Sequence, residues 1–166
     1  MPTYTLAELN SADKPAFVAA LGWVFEGSPW VAERAWAARP FASVAALHAA
    51  MVQAVERASA DEQLALIRAH PDLATRARLS DSSTVEQAGA GLDRLTPEEY
   101  ARFHDLNAGY HERFAFPFII AVRNHTKASI LAEFARRLDL TEPDERATAL
   151  AEIATIARFR LAEIVE

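Results

Sequence analysis

Apolar side chains recur at helical spacing through most of this chain, and strong helix-start signals separate the apolar stretches. The segment from Thr96 to Glu99 combines a capping threonine, a proline at the first helical position and a glutamate three residues after the cap. With 51% hydrophobic residues and only 5 glycines, the composition is that of a helical globular protein. The sequence therefore predicts an all-α, single-domain helical bundle over residues 1–166, with about seven to nine helices. We expect helices near 13–21 (capped by Asn10 or Ser11), 31–37 and 61–69, and helices that begin at Ser43, Thr96, Thr126 and Thr141.

The charge and cysteine content exclude several classes of function. A formal net charge of −6 argues against broad binding to nucleic acid or to anionic membranes, because both need clustered lysine and arginine. The absence of cysteine excludes disulfides, thiolate metal sites and cysteine nucleophiles. The first residues show no secretory signal pattern, and no stretch approaches the ~20 apolar residues of a membrane span. We expect a cytoplasmic protein without nucleic-acid or membrane partners.

The dipeptide His70-Pro71 ends the helix predicted over 61–69. Proline disfavours the α conformation for the residue before it, so His70 is expected to leave helical geometry. The turn therefore sets the orientation of the His70 side chain, and an imidazole ordinarily titrates near neutral pH. A histidine in this position serves either as a helix C-terminal cap or as a proton-transfer group, and the dipeptide alone fits both roles.

A second polar cluster follows at Ser83, Glu86 and Gln87. Ser83 and Glu86 have the spacing of a capping box, in which both side chains accept from the first N–H groups of a helix. The same groups at a helix start can also form one wall of a site for an anion or an amide. Capping and catalysis compete for the Glu86 carboxylate, so the sequence leaves its role open.

The apolar run over residues 114–122 is interrupted by Pro117 and is poorly suited to a regular helix. One interpretation is an irregular segment packed in the core. The other is that its backbone N–H and C=O groups line a pocket and bind the polar edges of a ligand. The sequence alone fits both.

Other charged side chains have ordinary interpretations. His104 and His111 lie seven residues apart on one predicted helix without the pattern of a metal site, so no metal is expected there. The charges over 133–137 and 144–146 are interpreted as solvated helix faces. Arg160 fits a helix-surface pair with Glu163, three residues later.

Six short motifs occur in order along the chain: Phe25-Glu26-x-Ser28-Pro29-Trp30, Arg39-Pro40-Phe41, His70-Pro71-Asp72-Leu73-Ala74, Ser83-x-x-Glu86-Gln87-x-x-Ala90-Gly91-Leu92, Leu106-Asn107-x-x-Tyr110 and Phe116-Pro117-Phe118-Ile119. Their combination resembles the 2-oxo-4-hydroxy-4-carboxy-5-ureidoimidazoline (OHCU) decarboxylase family, which catalyses the last step from urate to (S)-allantoin. Each motif is weakly specific, whereas six in this order are highly specific. The resemblance covers residues from about Leu9 to Leu161, nearly the whole chain.

The resemblance implies an all-helical fold, a homodimer and decarboxylation without a cofactor or metal, with OHCU as substrate and (S)-allantoin as product. It implies that His70 transfers the proton and that Glu86 is its catalytic partner. The family usually has glycine where Ala115 stands, so a positive φ there would be strained by a Cβ. The residues that match the family's substrate-contacting positions are Pro71, Ser83, Gln87, Phe118, Ile119, Ile120, Ala121, Val122 and Arg160.

The chemistry of that substrate is consistent with these residue types. It carries a carboxylate and a hydroxyl on one ring carbon, beside a C=N bond that accepts electrons. Loss of carbon dioxide leaves negative charge delocalised over the ring, and a carbon must then be protonated on one face. The protein must supply an anchor for the anion, hydrogen bonds to amides and one placed acid or base.

Two other function classes fit parts of the sequence. A non-catalytic helical module could bind a ureide or a partner protein through the Phe-Pro-Phe segment, but it would not need an ionisable pair at His70 and Glu86. A metal-dependent hydrolase is a weaker alternative, and it would lose activity on chelation.

Overall fold

The computed structural model describes residues 1–75 and 79–166. Over these residues the chain forms nine α-helices and two short 3-10 helices, and its one β-type pairing is an isolated parallel bridge between Tyr4 and Val165. The predicted all-α fold is confirmed. The helices are α1 (Leu6–Ser11), α2 (Lys14–Leu21), α3 (Trp30–Ala35), α4 (Val44–Glu56), α5 (Ala60–Arg68), α6 (Asp81–Gly89), α7 (Pro97–Phe114), α8 (Lys127–Leu138) and α9 (Glu142–Ile164), with 3-10 turns at Trp36–Ala38 and Val122–Asn124.

Local capping chemistry explains where most of these helices begin. Thr96 forms the predicted capping box of α7, because its hydroxyl accepts from the Glu99 N–H at 3.1 Å and the Glu99 carboxylate accepts from the Thr96 N–H at 3.0 Å. Ser43 and Thr126 cap α4 and α8, as predicted. These helix starts follow from short-range sequence alone.

Two features near the N-terminus differ from the prediction. Helix α1 was not expected, although Thr5 and Glu8 form a complete capping box at its start. The expected cap of α2 by Asn10 or Ser11 is wrong, because Asp13 accepts from the Ala16 N–H at 2.9 Å. Ser11 instead donates to the Ala7 carbonyl within α1.

The chain divides into two compact units, which are described separately. The first unit comprises residues 1–69 and 154–166, and α3 packs in it against α2 and α4. The second unit comprises residues 70–153, and there α7 packs against α8 while α6 packs against the 3-10 turn Val122–Asn124. That the whole chain is one domain stays a prediction. Fully buried side chains in the first unit include Phe17, Leu21, Leu47 and Met51, and in the second unit Phe103, Tyr110, Phe118, Ile130 and Phe134.

None of the helices in the described ranges is both long enough and apolar enough to cross a membrane.

Candidate active site

The turn that carries His70 begins where α5 ends. Helix α5 stops at Arg68 with Ala69 as its C-terminal cap, and His70 lies outside the helix, as predicted from Pro71. The His70 side chain is buried, at 8% exposure, and Pro71 is half-buried. The break in the helix therefore places an ionisable ring inside the protein.

Side chains from α6 and α7 fix this turn through its backbone. The Ala74 N–H donates to the Gln87 side-chain oxygen at 3.0 Å, and the Asn107 side-chain amide donates to the Leu73 carbonyl at 2.9 Å. Ala74 adopts a left-handed conformation, with φ of 56°. His111 Nε2 lies 2.7 Å from the Asp72 carboxylate at the surface of the same turn. These contacts tie the His70 turn to two helices of the second unit.

The cap of α6 is Ser80, so the predicted capping box at Ser83 and Glu86 is wrong. The Ser80 hydroxyl accepts from the Ser83 N–H at 3.2 Å, and Thr84 donates back to the Ser80 carbonyl at 2.9 Å. Glu86 consequently lies in the body of the helix rather than at its start. The competition between capping and other roles of its carboxylate is therefore removed.

The polar residues of α6 share one side of that helix. Positions three and four apart are neighbours on a helix surface, so Glu86 and Gln87 lie one turn beyond Ser83. Ser83 and Gln87 are buried, at 5% and 7% exposure, and Glu86 is half-buried. Because Gln87 accepts from Ala74, its amide orientation is fixed with the oxygen toward the His70 turn.

The side chains of residues 114–122 support the interpretation as an irregular segment packed in the core. The backbone supports the other interpretation, in which its N–H and C=O groups line a pocket. Residues 116–122 are all buried and lie outside the α-helices. The Ile119 carbonyl accepts from Arg137 Nη1 at 2.6 Å, and the Ala121 N–H donates to the Glu152 carboxylate at 3.0 Å. Charged side chains from α8 and α9 therefore fix this irregular segment, and their hydrogen bonds replace the backbone hydrogen bonds that a helix would make.

Ile120 lies between these two anchored residues and is 3% exposed. Neither its N–H nor its C=O has a hydrogen-bond partner among residues 1–75 and 79–166. The N–H donor and the C=O acceptor of one residue match the edge of an amide or a ureide. Because buried backbone groups are nearly always paired, this pair is suited to a ligand or to water.

The aromatic side chain of this segment belongs to the core. The Phe118 ring stacks on Phe134 with ring centroids 3.7 Å apart and meets Tyr110 edge-on at 5.5 Å. The Arg137 guanidinium lies 4.3 Å from the centre of the Phe118 ring. Phe118 can therefore contact a ligand only through its backbone.

Arg137 and Glu145 form a buried ion pair, so their interpretation as solvated charges is wrong. Both side chains are 0% exposed, and Arg137 Nε donates to the two Glu145 oxygens at 2.8 and 3.1 Å. Tyr110 also donates to this carboxylate, and burial together with that hydrogen bond raises the pKa of Tyr110. Removing one partner of such a pair costs about 3–5 kcal/mol, because the other charge stays buried. The pair is thus a structural support for the Ile119 carbonyl.

Arg160 belongs to the first unit, and its interpretation as a surface side chain is wrong. It is 2% exposed, and its Nη2 lies 2.9 Å from the Glu26 carboxylate. Its Nη1 points to the carbonyls of Trp23 and Val24 at 3.4 and 3.3 Å. A buried arginine that is held by a carboxylate from a distant part of the sequence has a defined orientation.

The predicted site residues of the second unit lie on elements that are hydrogen-bonded to or packed against one another. The His70 turn is bonded to α6, and α6 packs against the 3-10 turn at the end of the 118–122 segment. Sequence reasoning assigned no supporting role in the site to Asn107, Arg137, Glu145 or Glu152. Periodicity could have identified two of them, because Arg137 continues the apolar stripe of Ile130 and Phe134, and Glu145 that of Ala149 and Ile153.

The fold and these groups define an all-α protein in which a buried histidine turn is hydrogen-bonded to Gln87 of α6, the helix that also carries Glu86. That helix packs against the 3-10 turn that follows the irregular segment. A family model described as OHCU decarboxylase matches residues 10–162. The chain belongs to the OHCU decarboxylase family.

Individual relatives agree with this assignment. The chain is 50% identical over 163 residues to the 2-oxo-4-hydroxy-4-carboxy-5-ureidoimidazoline decarboxylase of Haloferax volcanii, covering 98% of this chain and 97% of the relative. It is 44% identical to the uric acid degradation bifunctional protein PucL of Bacillus subtilis, covering 98% of this chain and 33% of that protein. A crystal structure of (S)-allantoin synthase is similar with a TM-score of 0.77 and 33% identity, over 98% of this chain and 54% of that one.

Proposed function

We propose that this protein decarboxylates OHCU to (S)-allantoin as the last step of urate degradation. Membership of the family supports the reaction, and relatives that are named for OHCU decarboxylation, uric acid degradation and (S)-allantoin synthesis support the substrate and product. The observation that carries the mechanism is the bond between Ala74 and Gln87, because it joins the buried His70 turn to the helix of Glu86.

The reaction needs little from the protein because the substrate ring accepts the electrons. The bond between the ring carbon and its carboxylate breaks, carbon dioxide leaves, and the electron pair moves toward the neighbouring C=N bond. The nitrogen and the ureido-bearing carbon each gain a proton while the hydroxyl loses one, so the substrate anion consumes one proton overall. The chemistry itself requires no metal or organic cofactor.

In this mechanism His70 is the proton-transfer group and Glu86 is its partner. A carboxylate near an imidazole orients the ring and favours its protonated form. Burial of His70 limits exchange with bulk water, so the proton reaches the carbon from one face. This facial control accounts for the formation of a single enantiomer.

The remaining proposed site residues recognise the substrate. Arg160 anchors the anion, since its planar guanidinium suits a carboxylate. The hydroxyl of Ser83 and the NH₂ group of Gln87 suit the ureido and ring amides. Pro71 and the backbone of Phe118, Ile119, Ile120, Ala121 and Val122 form the wall against the ring, with Ile120 supplying a donor and an acceptor.

The test is an assay of the wild-type protein with freshly prepared OHCU, followed by circular dichroism. We expect the dichroism of (S)-allantoin to appear much faster than the spontaneous reaction, and activity to survive exhaustive chelation. A protein that binds allantoin but leaves the decay rate unchanged would instead be a non-catalytic module. Loss of activity on chelation would favour metal-dependent chemistry.

The homodimer is a part of the proposal that rests on the family resemblance, and the cytoplasmic location stays a prediction. Sedimentation equilibrium of the full chain measures the first directly. We expect a mass of twice the chain's 18.2 kDa.

A further inference from the structure

The motif Phe25-Glu26-x-Ser28-Pro29-Trp30 has no role in the mechanism described so far, yet the first unit builds it into a defined turn. The Ser28 N–H donates to the Phe25 carbonyl at 3.1 Å, and the Ser28 hydroxyl donates to the Glu26 carbonyl at 2.9 Å. Gly27 has a φ of 55°, which favours glycine, and a Cβ there would lie 3.2 Å from the Ala69 side chain. The turn therefore holds the backbone of Glu26 in one place.

The Glu26 side chain forms an ion pair with a buried cation. Its carboxylate lies 2.9 Å from Arg160 Nη2, and Glu26 and Arg160 are 8% and 2% exposed. The Arg160 contacts with the carbonyls of Trp23 and Val24 are longer, at 3.4 and 3.3 Å, so the carboxylate is the stronger partner. Because a guanidinium is planar, these contacts on two of its nitrogens define its plane.

We infer that Glu26 is a positioning residue for Arg160: it holds the guanidinium in the plane in which it meets the anionic substrate. The inference rests on the proposed function, in which Arg160 anchors that anion. Glu26 also balances the charge of Arg160, so the pair binds substrate through geometry more than through net charge. An anchor of this kind contributes to substrate binding, and its loss raises KM with little change in kcat.

The experiment compares Glu26→Gln, Arg160→Lys and the double variant in steady-state kinetics with fresh OHCU. Glu26→Gln keeps the size of the side chain and an acceptor oxygen but removes the charge. We expect KM to rise about tenfold, which corresponds to about 1.4 kcal/mol, with kcat within about twofold. In the Arg160→Lys background, we expect the same change at Glu26 to alter KM by less than about twofold, because coupled residues are non-additive.

The matched control is Glu62→Gln, which removes a glutamate charge from an exposed ion pair with Arg34 in the same unit. We expect its KM to equal that of the wild type. Equal KM values for the Glu26 and Glu62 variants would overturn the inference. A KM effect of the same size with and without Arg160 would also overturn it, since a general structural role does not depend on Arg160.

Thermal unfolding shows whether each variant folds. If Glu26→Gln does not fold, Glu26→Asp is tested in the same cycle, because it keeps the charge on a shorter side chain. An increase in KM that is absent in the Arg160→Lys background supports the inference. A KM equal to that of the wild type overturns it. Failure of the proposed function is a separate result, namely the absence of OHCU turnover by the wild type.

Discussion

Replacing Ala115 with glycine should stabilise the protein, although the same replacement usually destabilises a helix. Ala115 is the exposed C-terminal cap of α7, with φ of 59° and ψ of 25°, and its N–H donates to the His111 carbonyl at 2.9 Å. In this left-handed conformation a Cβ costs about 1–2 kcal/mol. Glycine removes that cost but increases the entropy of the unfolded chain by about 0.4–1 kcal/mol. The expected net stabilisation is about 0.5–1 kcal/mol.

The assay is thermal and urea unfolding followed by far-UV circular dichroism. For a protein of this size about 1 kcal/mol shifts Tm by roughly 2–4 °C, so we expect a rise of about 1–4 °C. The matched control is Ala101→Gly, an exposed position within the same helix, where glycine should destabilise by about 1 kcal/mol. If Ala115→Gly lowers Tm as Ala101→Gly does, the strain assigned to Ala115 is refuted.

Two further predictions concern α6 and the buried cluster around Tyr110. Ser80→Ala should lower Tm by roughly 2–4 °C, because the lost cap contributes about 1 kcal/mol, and kcat should be retained. Glu86→Gln should lower kcat by about 100-fold or more with little change in Tm. Kinetics and melting curves of both variants check this, and the opposite pattern would contradict both assignments. Because the folded-state pKa of Tyr110 lies above the unfolded one, its contribution to stability is complete below about pH 10 and is lost as the pH rises further. The Tm of the wild type should therefore fall more steeply above pH 10 than that of Tyr110→Phe, and parallel curves would contradict this assignment.

The sequence predicted those parts of the fold that depend on neighbouring residues. Capping at Ser43, Thr96 and Thr126 involves side chains and N–H groups within one turn, so local pattern suffices. The start of α6 was misplaced because serines at positions 80, 82 and 83 offer competing caps. In the structure Ser80 is exposed and caps the helix, whereas Ser83 is buried, and burial depends on packing that a local pattern does not describe.

The supports of the candidate site depend on contacts between distant segments, which local pattern does not describe. Arg137 holds the Ile119 carbonyl, and Glu26 holds Arg160 near the opposite end of the chain. In sequence, a charge within an apolar stripe indicates that the side chain is buried, but it does not identify the partner. The helical frame was therefore predictable, whereas the pairing of the buried charges was visible only in the structure.

The most direct test of the central claim is the enantiomeric composition of allantoin formed in D₂O by the wild type and by His70→Asn. The account predicts that the wild type yields only (S)-allantoin, with deuterium on the ureido-bearing carbon. It predicts that His70→Asn, folded as judged by its melting curve, leaves the spontaneous rate and a racemic product. Formation of (S)-allantoin by His70→Asn at nearly the wild-type rate would contradict the role of His70.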